Sequence, residues 1–157
     1  MPHNSNSLGP LPAYVASGIA PENWTATQLQ VAYAPAESWG ARGDGSVKGT
    51  GWFGAFPMQD GSIASEIGTG FEIDGKEIGS PSINPFQSKE QIMRMLKNMD
   101  AAFDPDIMQN TMDWGRYRMM QGISPFLQPG EEAINFEKHD PTYWRLRTKG
   151  SGLKSEY

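Results

Sequence analysis

Only two histidines, His3 and His139, occur among 157 residues, and cysteine is absent. A histidine-based triad, a multi-histidine metal site or a thiolate site is therefore poorly supplied. His139 precedes Asp140 in a charged stretch, where a loop pair is a plainer reading than a catalytic dyad. Carboxylates are more plentiful: Glu66 and Glu72 share the polar face of one strand-like run, and Glu77 lies on the next. Paired carboxylates hydrolyse glycosidic bonds when burial or close like charge raises one pKa, and a solvated strand face provides neither. Arg42-Gly43-Asp44-Gly45 followed by Lys48-Gly49-Thr50-Gly51 is as glycine-rich as a phosphate cradle. There, however, the lysine precedes the glycine and a strand follows, whereas a P-loop needs Gly-Lys-Ser/Thr opening a helix. No catalytic residue, metal ligand or cofactor site is expected from these sets.

Binding chemistry is better represented. Trp24 and Trp39 fall in the N-terminal third, and Tyr143, Trp144, Arg145 and Arg147 cluster near the C-terminus. Seven of the nine methionines lie between Met93 and Met120. Methionine fills irregular gaps and suits adaptable contact surfaces; Met93 and Met120 fall off the helical stripes and would mark a protein-binding patch if exposed. Lys138, Arg145, Arg147, Lys149 and Lys154 make the last twenty residues locally basic. Two readings stand for that segment. It meets an acidic protein surface, or it touches nucleic acid through phosphate charge and stacking.

Something must position these groups, and residues 48–86 supply the first elements. Asp60-Gly61 and Asp74-Gly75 sit between runs that alternate apolar and polar, the signature of tight hairpin turns. Pairing outward sets Met58 against Ile63 and Phe56 against Ser65, then Ile73 against Lys76 and Phe71 against Ile78. Alternation then places Trp52, Phe56, Met58, Ile63, Ile67, Phe71, Ile73 and Ile78 on one face, with Glu66, Gly68, Gly70 and Glu72 opposite. Ser88-Lys89-Glu90-Gln91 has the form of a capping box, and Ile92, Met95, Leu96 and Met99 follow as one helical stripe. Asp104-Pro105 opens a second helix carrying Met108, Met112 and Met119 on one side, and Gly122 closes it. Arg116 and Arg118 suit the negative end of its dipole. The expected fold is α+β: a three-stranded antiparallel β-meander covered on one face by two α-helices, with long irregular N- and C-terminal arms.

Eighteen glycines and twelve prolines make almost a fifth of the chain, so long irregular segments are expected. The division read from this is an N-terminal docking arm at 1–47, a core module at 48–126, and a locally basic C-terminal arm at 127–157. Arms of that length either stay unfolded or fold on a partner, and tryptophans within them favour a partner. The net charge of −5 argues against a general nucleic-acid binder. No stretch resembles a signal peptide or reaches the length of a membrane span, which leads to the expectation of a soluble protein made in a cytoplasm.

The run Lys48-Gly49-Thr50-Gly51-Trp52-Phe53-Gly54, then Asp60-Gly61-Ser62, Ser65-Glu66-Ile67 and Phe71-Glu72-Ile73-Asp74-Gly75-Lys76-Glu77-Ile78 resembles a small module of tailed-bacteriophage proteins. That module recurs in virion-associated and large polyvalent phage proteins. The similarity continues through Pro81, Ile83 and Pro85 and ends at Arg116, Met119, Gln121-Gly122 and Ser124-Pro125-Phe126, covering residues 48–126. It departs at Gly79-Ser80-Pro81, where an apolar residue commonly precedes the proline. The resemblance implies a non-enzymatic virion component of the tail or its interior, made in the host bacterial cytoplasm and present in several copies of a symmetric assembly. Its implied partners are other virion proteins such as tail or portal-proximal subunits, and it implies no catalytic residue. The alternatives are an accessory factor or small enzyme for peptidoglycan cleavage during infection, and an internal virion protein touching nucleic acid through its C-terminal arm.

Overall fold

Gly51 and Gly54 take left-handed φ values of 86° and 78°, a region glycine adopts without steric cost. The Gly54 amide closes a turn on the Gly51 carbonyl at 3.2 Å, so the chain bends here instead of running as a strand. Alternation is thereby broken, and the consecutive residues Trp52 and Phe53 are both buried. The computed structural model describes residues 51–148, apart from 55, 59, 61–62, 65 and 74, together with 23, 25 and 26.

The expected three-stranded meander does not form. Among the described residues there are two separate two-stranded antiparallel ladders. Strands β1 (Phe56–Pro57) and β2 (Ile63–Ala64) pair Phe56 with Ala64 and Pro57 with Ile63. This is one residue out of the expected register, which lengthens the loop around Asp60 by one position. Strands β3 (Gly68–Ile73) and β4 (Lys76–Pro81) pair Ile73 with Lys76 and Phe71 with Ile78, the register centred on Asp74-Gly75.

Gly68 and Gly70 give β3 no side chains with which a third strand could pack. The glycine face receives an aromatic ring instead: a Cβ at Gly68 or Gly79 would lie 3.9 or 3.8 Å from Phe126. The opposite face meets the helices, and the buried Ser80 hydroxyl there donates to the Thr111 carbonyl at 3.0 Å.

Helix α1 (Lys89–Lys97) starts with a complete capping box. The Ser88 hydroxyl accepts from the Gln91 amide at 3.1 Å, and the Gln91 side chain accepts from the Ser88 amide at 2.7 Å. Ile92, Met95 and Leu96 are buried, whereas Met99 falls in a 3-10 turn, Met99–Phe103, and is exposed. Helix α2 (Pro105–Met120) begins at its proline and ends in a Schellman motif. Gly122, at φ 75°, donates to Met119 O, and Ile123 donates to Arg118 O.

The expected methionine face of α2 is a second correction. Ile107, Thr111, Trp114 and Arg118 are buried at i, i+4, i+7 and i+11, while Met108, Met112 and Met119 are only half-buried. The bulkiest ring on the helix, Trp114, finds Trp52, Phe86 and Tyr117 around it and so sets which face turns inward. Its burial of a large aromatic area outweighs that of thioether chains.

Residues 127–148 return to the core rather than leaving it. Ile134 donates its amide to the Trp52 carbonyl at 2.6 Å, Phe136 is buried, and a short helix α3 (Pro141–Leu146) brings Trp144 beside Trp52 and Trp114.

Candidate docking cleft

Arg118 organises the end of α2. Only 4% exposed, its guanidinium lies 5.0 Å from the Trp52 ring and 5.5 Å from the Trp114 ring. It pairs in a two-pronged fashion with Glu131, both contacts at 2.7 Å, and its Nε donates to the Ser124 carbonyl at 2.7 Å. Bidentate geometry of this kind is what a planar guanidinium offers and an ammonium does not. Burial pushes the Glu131 carboxyl up, but the Arg118 guanidinium and the Gln128 amide outweigh it and hold the pKa below its ordinary value.

Above this floor lies a cleft of about 480 Å³. Trp52, Trp114, Tyr117 and Arg118 form its base; Gln121 and Ile123, past the end of α2, form one wall. Residues 131–134 and the α3 side chains Tyr143 and Trp144, with Arg147, form the other. The Arg147 guanidinium stands 4.9 Å from Trp144 and 5.6 Å from Tyr143, holding those rings in place by cation–π attraction. The cleft is open to solvent: of its lining residues Tyr143 is 57% exposed and Ile123 42%, and Leu146, on α3 but outside the lining, is 54% exposed.

Of the residues singled out from the sequence, Tyr143, Trp144 and Arg147 meet in this cleft, and Met120 lies exposed one position before Gln121 on its wall. Met93 is half-buried and packs against the core. Trp24 and Trp39 lie outside the described residues.

Arg145 faces away from the cleft. It donates to Asp113 at 3.1 Å and Asn110 at 2.7 Å and lies 4.0 Å from the Phe86 ring. Asp113 is fully buried, its other oxygen accepting from Gln109 at 2.9 Å. Burial raises its pKa, opposed by Gln109 and Arg145. A raised buried carboxyl is a common mark of acid–base chemistry, but both oxygens are occupied and Asp113 does not line the cleft. Glu72 and Glu77 oppose each other across the exposed end of β3 and β4.

Trp52 from the 51–54 turn and Trp114, Tyr117 and Arg118 from α2 were missing from the site expected from the sequence. The i, i+4 spacing of Trp114 and Arg118 was the one available signal, since neighbours at that spacing share a helix face. No group of three or more His, Cys, Asp or Glu among the described residues is placed to hold a metal ion. No helix among them is long and apolar enough to cross a membrane. Comparison of the chain with protein-family models, with curated proteins and with solved structures finds no match in any of the three.

Proposed function

We propose that this chain is a non-enzymatic structural component of a tailed-bacteriophage virion, in the tail or its interior, and that the face around the cleft binds a neighbouring subunit. The observation that carries the binding role is the rim itself. Tyr143 and Ile123 are exposed together beside a concave aromatic floor, and Leu146 is exposed on the same short helix as Tyr143. Contiguous apolar surface rimmed by polar groups marks protein contacts, and rigid aromatic anchors beside an arginine have the composition of interface hot spots. The virion assignment rests on the likeness of residues 48–126 to the phage module.

Peptide mass spectrometry of purified particles tests the assignment: the chain is expected in particles at a fixed ratio to a tail or portal-proximal subunit. Absence from particles overturns it. Tyr143→Ala with Leu146→Ala tests the surface separately. The variant is expected to fold yet fail to enter particles, because both side chains are exposed and contribute little to the core.

A further inference from the structure

His139 is the buried titratable group that the docking surface does not use. It is 6% exposed, and its ring stands edge-on to Phe53 with centroids 4.7 Å apart. Nε2 lies 2.8 Å from the Gln87 carbonyl. A carbonyl only accepts, so Nε2 carries the proton and Nδ1 is the bare nitrogen of the neutral ring. Nδ1 is buried and has no hydrogen-bond partner among the described residues.

We propose that His139 is an acid-sensitive latch: neutral, it ties residues 136–148 to the Gln87 carbonyl just before α1; protonated, it releases that segment and with it the α3 wall of the cleft. Protonation must place a charge and a new N–H donor on Nδ1, which has no hydrogen-bond partner among the described residues and lies in a cage that includes the Phe53 ring. Buried unsatisfied donors and unpaired buried charges are among the costliest features a fold can carry.

The groups around the ring divide in sign. Burial disfavours the charged form most strongly, and the Lys89 ammonium, on α1, adds to it. The Gln87 and Pro85 carbonyls and the Asp140 carboxylate favour it. Asp140 is already the N-cap of α3, accepting from the Thr142 amide at 2.9 Å, and Lys89 donates to the Glu137 carbonyl at 3.0 Å. Burial prevails, and the pKa lies below its ordinary value.

The sign of the effect follows. With the segment released, the ring titrates near its ordinary value of about 6.5. The latched state is therefore fully favoured above that pH and loses its advantage as pH falls through it toward the lower latched value. Asp113 meets the same segment through Arg145; burial raises its pKa, and Gln109 and Arg145 oppose the rise.

What the latch holds is a short helix. Helix α3 has six residues and none is fully buried. Its other ties include Trp144 against Trp52 and Trp114, and Arg145 on Asp113, Asn110 and the Phe86 ring. The latch is independent of which molecule occupies the cleft.

Amide hydrogen exchange of the full chain at about pH 7.5 and about pH 5.5, inside the range where histidine titrates and corrected for intrinsic exchange, tests the proposal. Protection at residues 143–148 is expected to fall in acid, by at most about tenfold per pH unit, while that of α1 and α2 holds. His139→Gln keeps an N–H donor for Gln87 and does not titrate, so its protection is expected to stay constant. Equal protection of the native segment at both pH values overturns the latch, as does acid opening in His139→Gln matching the native chain. Should His139→Gln lose protection throughout, proton NMR of the native chain decides. With His3→Gln to assign the two imidazoles, a His139 midpoint at or above the ordinary histidine value overturns the proposal, and a midpoint below it, coincident with segment opening, supports it.

Discussion

Trp52 and Trp114 donate their indole N–H groups to the same acceptor, the carbonyl of Pro125, at 2.9 and 2.8 Å. Their rings stand nearly perpendicular, 5.2 Å apart, with Arg118 over both. A carbonyl has two lone pairs, and here both are filled by side chains far apart in the sequence, one from the turn at 51–54 and one from α2. The turn at 51–54, helix α2 and the 124–126 stretch are joined through one oxygen.

That sharing makes the two indoles energetically coupled. Either Trp52→Phe or Trp114→Phe leaves Pro125 one donor, whereas the double variant orphans a buried carbonyl at about 1–3 kcal/mol. A double-mutant cycle by urea denaturation is expected to exceed the sum of the single losses by about 1 kcal/mol or more. Strict additivity would mean that the two bonds act independently.

The pair Asp113–Arg145 predicts an asymmetry. Arg145→Ala strands a fully buried carboxylate and is expected to cost about 3–5 kcal/mol, the range for breaking a buried pair from one side. Asp113→Asn keeps acceptor and donor capacity and removes the buried charge, so its cost is expected to be about 1 kcal/mol. Because the Asp113 pKa is raised in the fold, stability tied to its protonated form is lost as pH rises through that value. Arg145→Ala should therefore regain stability on acidification, measured as denaturation midpoints across an acid series.

Glu131 gives the opposite slope. Its pKa is lowered in the fold, Arg118 outweighing burial; the resulting stability is present above the unfolded value of about 4.3 and lost as pH falls through the folded one. Glu131→Gln is expected to flatten that acid limb in denaturation measured against pH. Arg118→Ala removes the guanidinium from both indoles and from Glu131 and is expected to cost about 3 kcal/mol, with Arg118→Lys recovering only part.

The parts of the fold legible in the sequence are those decided within a few consecutive residues. The Ser88–Gln91 capping box, Pro105 at the head of α2, Gly122 at its end and the register about Asp74-Gly75 all belong to that class. The rest depended on contacts far along the chain. Phe53 escaped alternation because two left-handed glycines turn the backbone around it. The first hairpin slipped by one residue, which local turn chemistry did not forbid. Arg118 read as a partner of the helix dipole, since nothing near it in sequence announces Glu131 thirteen residues on. Of the residues lining the candidate cleft, Tyr143, Trp144 and Arg147 were singled out in the sequence, and the floor beneath them was not. Trp144 divides between the two, half facing the cleft and half leaning on Trp52 and Trp114.

Gly122 offers a test of backbone alone. A Cβ there would meet nothing within 4 Å, and its φ is 75°. Gly122→Ala is thus expected to lose about 1 kcal/mol from the left-handed conformation and nothing from contacts, readable as a lower urea midpoint with an unchanged slope.

The inward turn of Arg145 changes how the C-terminal segment looks from outside. Between residues 127 and 148, its positive charge is spent on Asp113, and Lys138 and Arg147 stand among the exposed Glu132 and Glu137. A polyanion approaching this side meets a field close to neutral, while an uncharged surface meets Tyr143 and Leu146. Association at the rim is accordingly expected to persist in concentrated salt, where counterion-driven contacts dissolve.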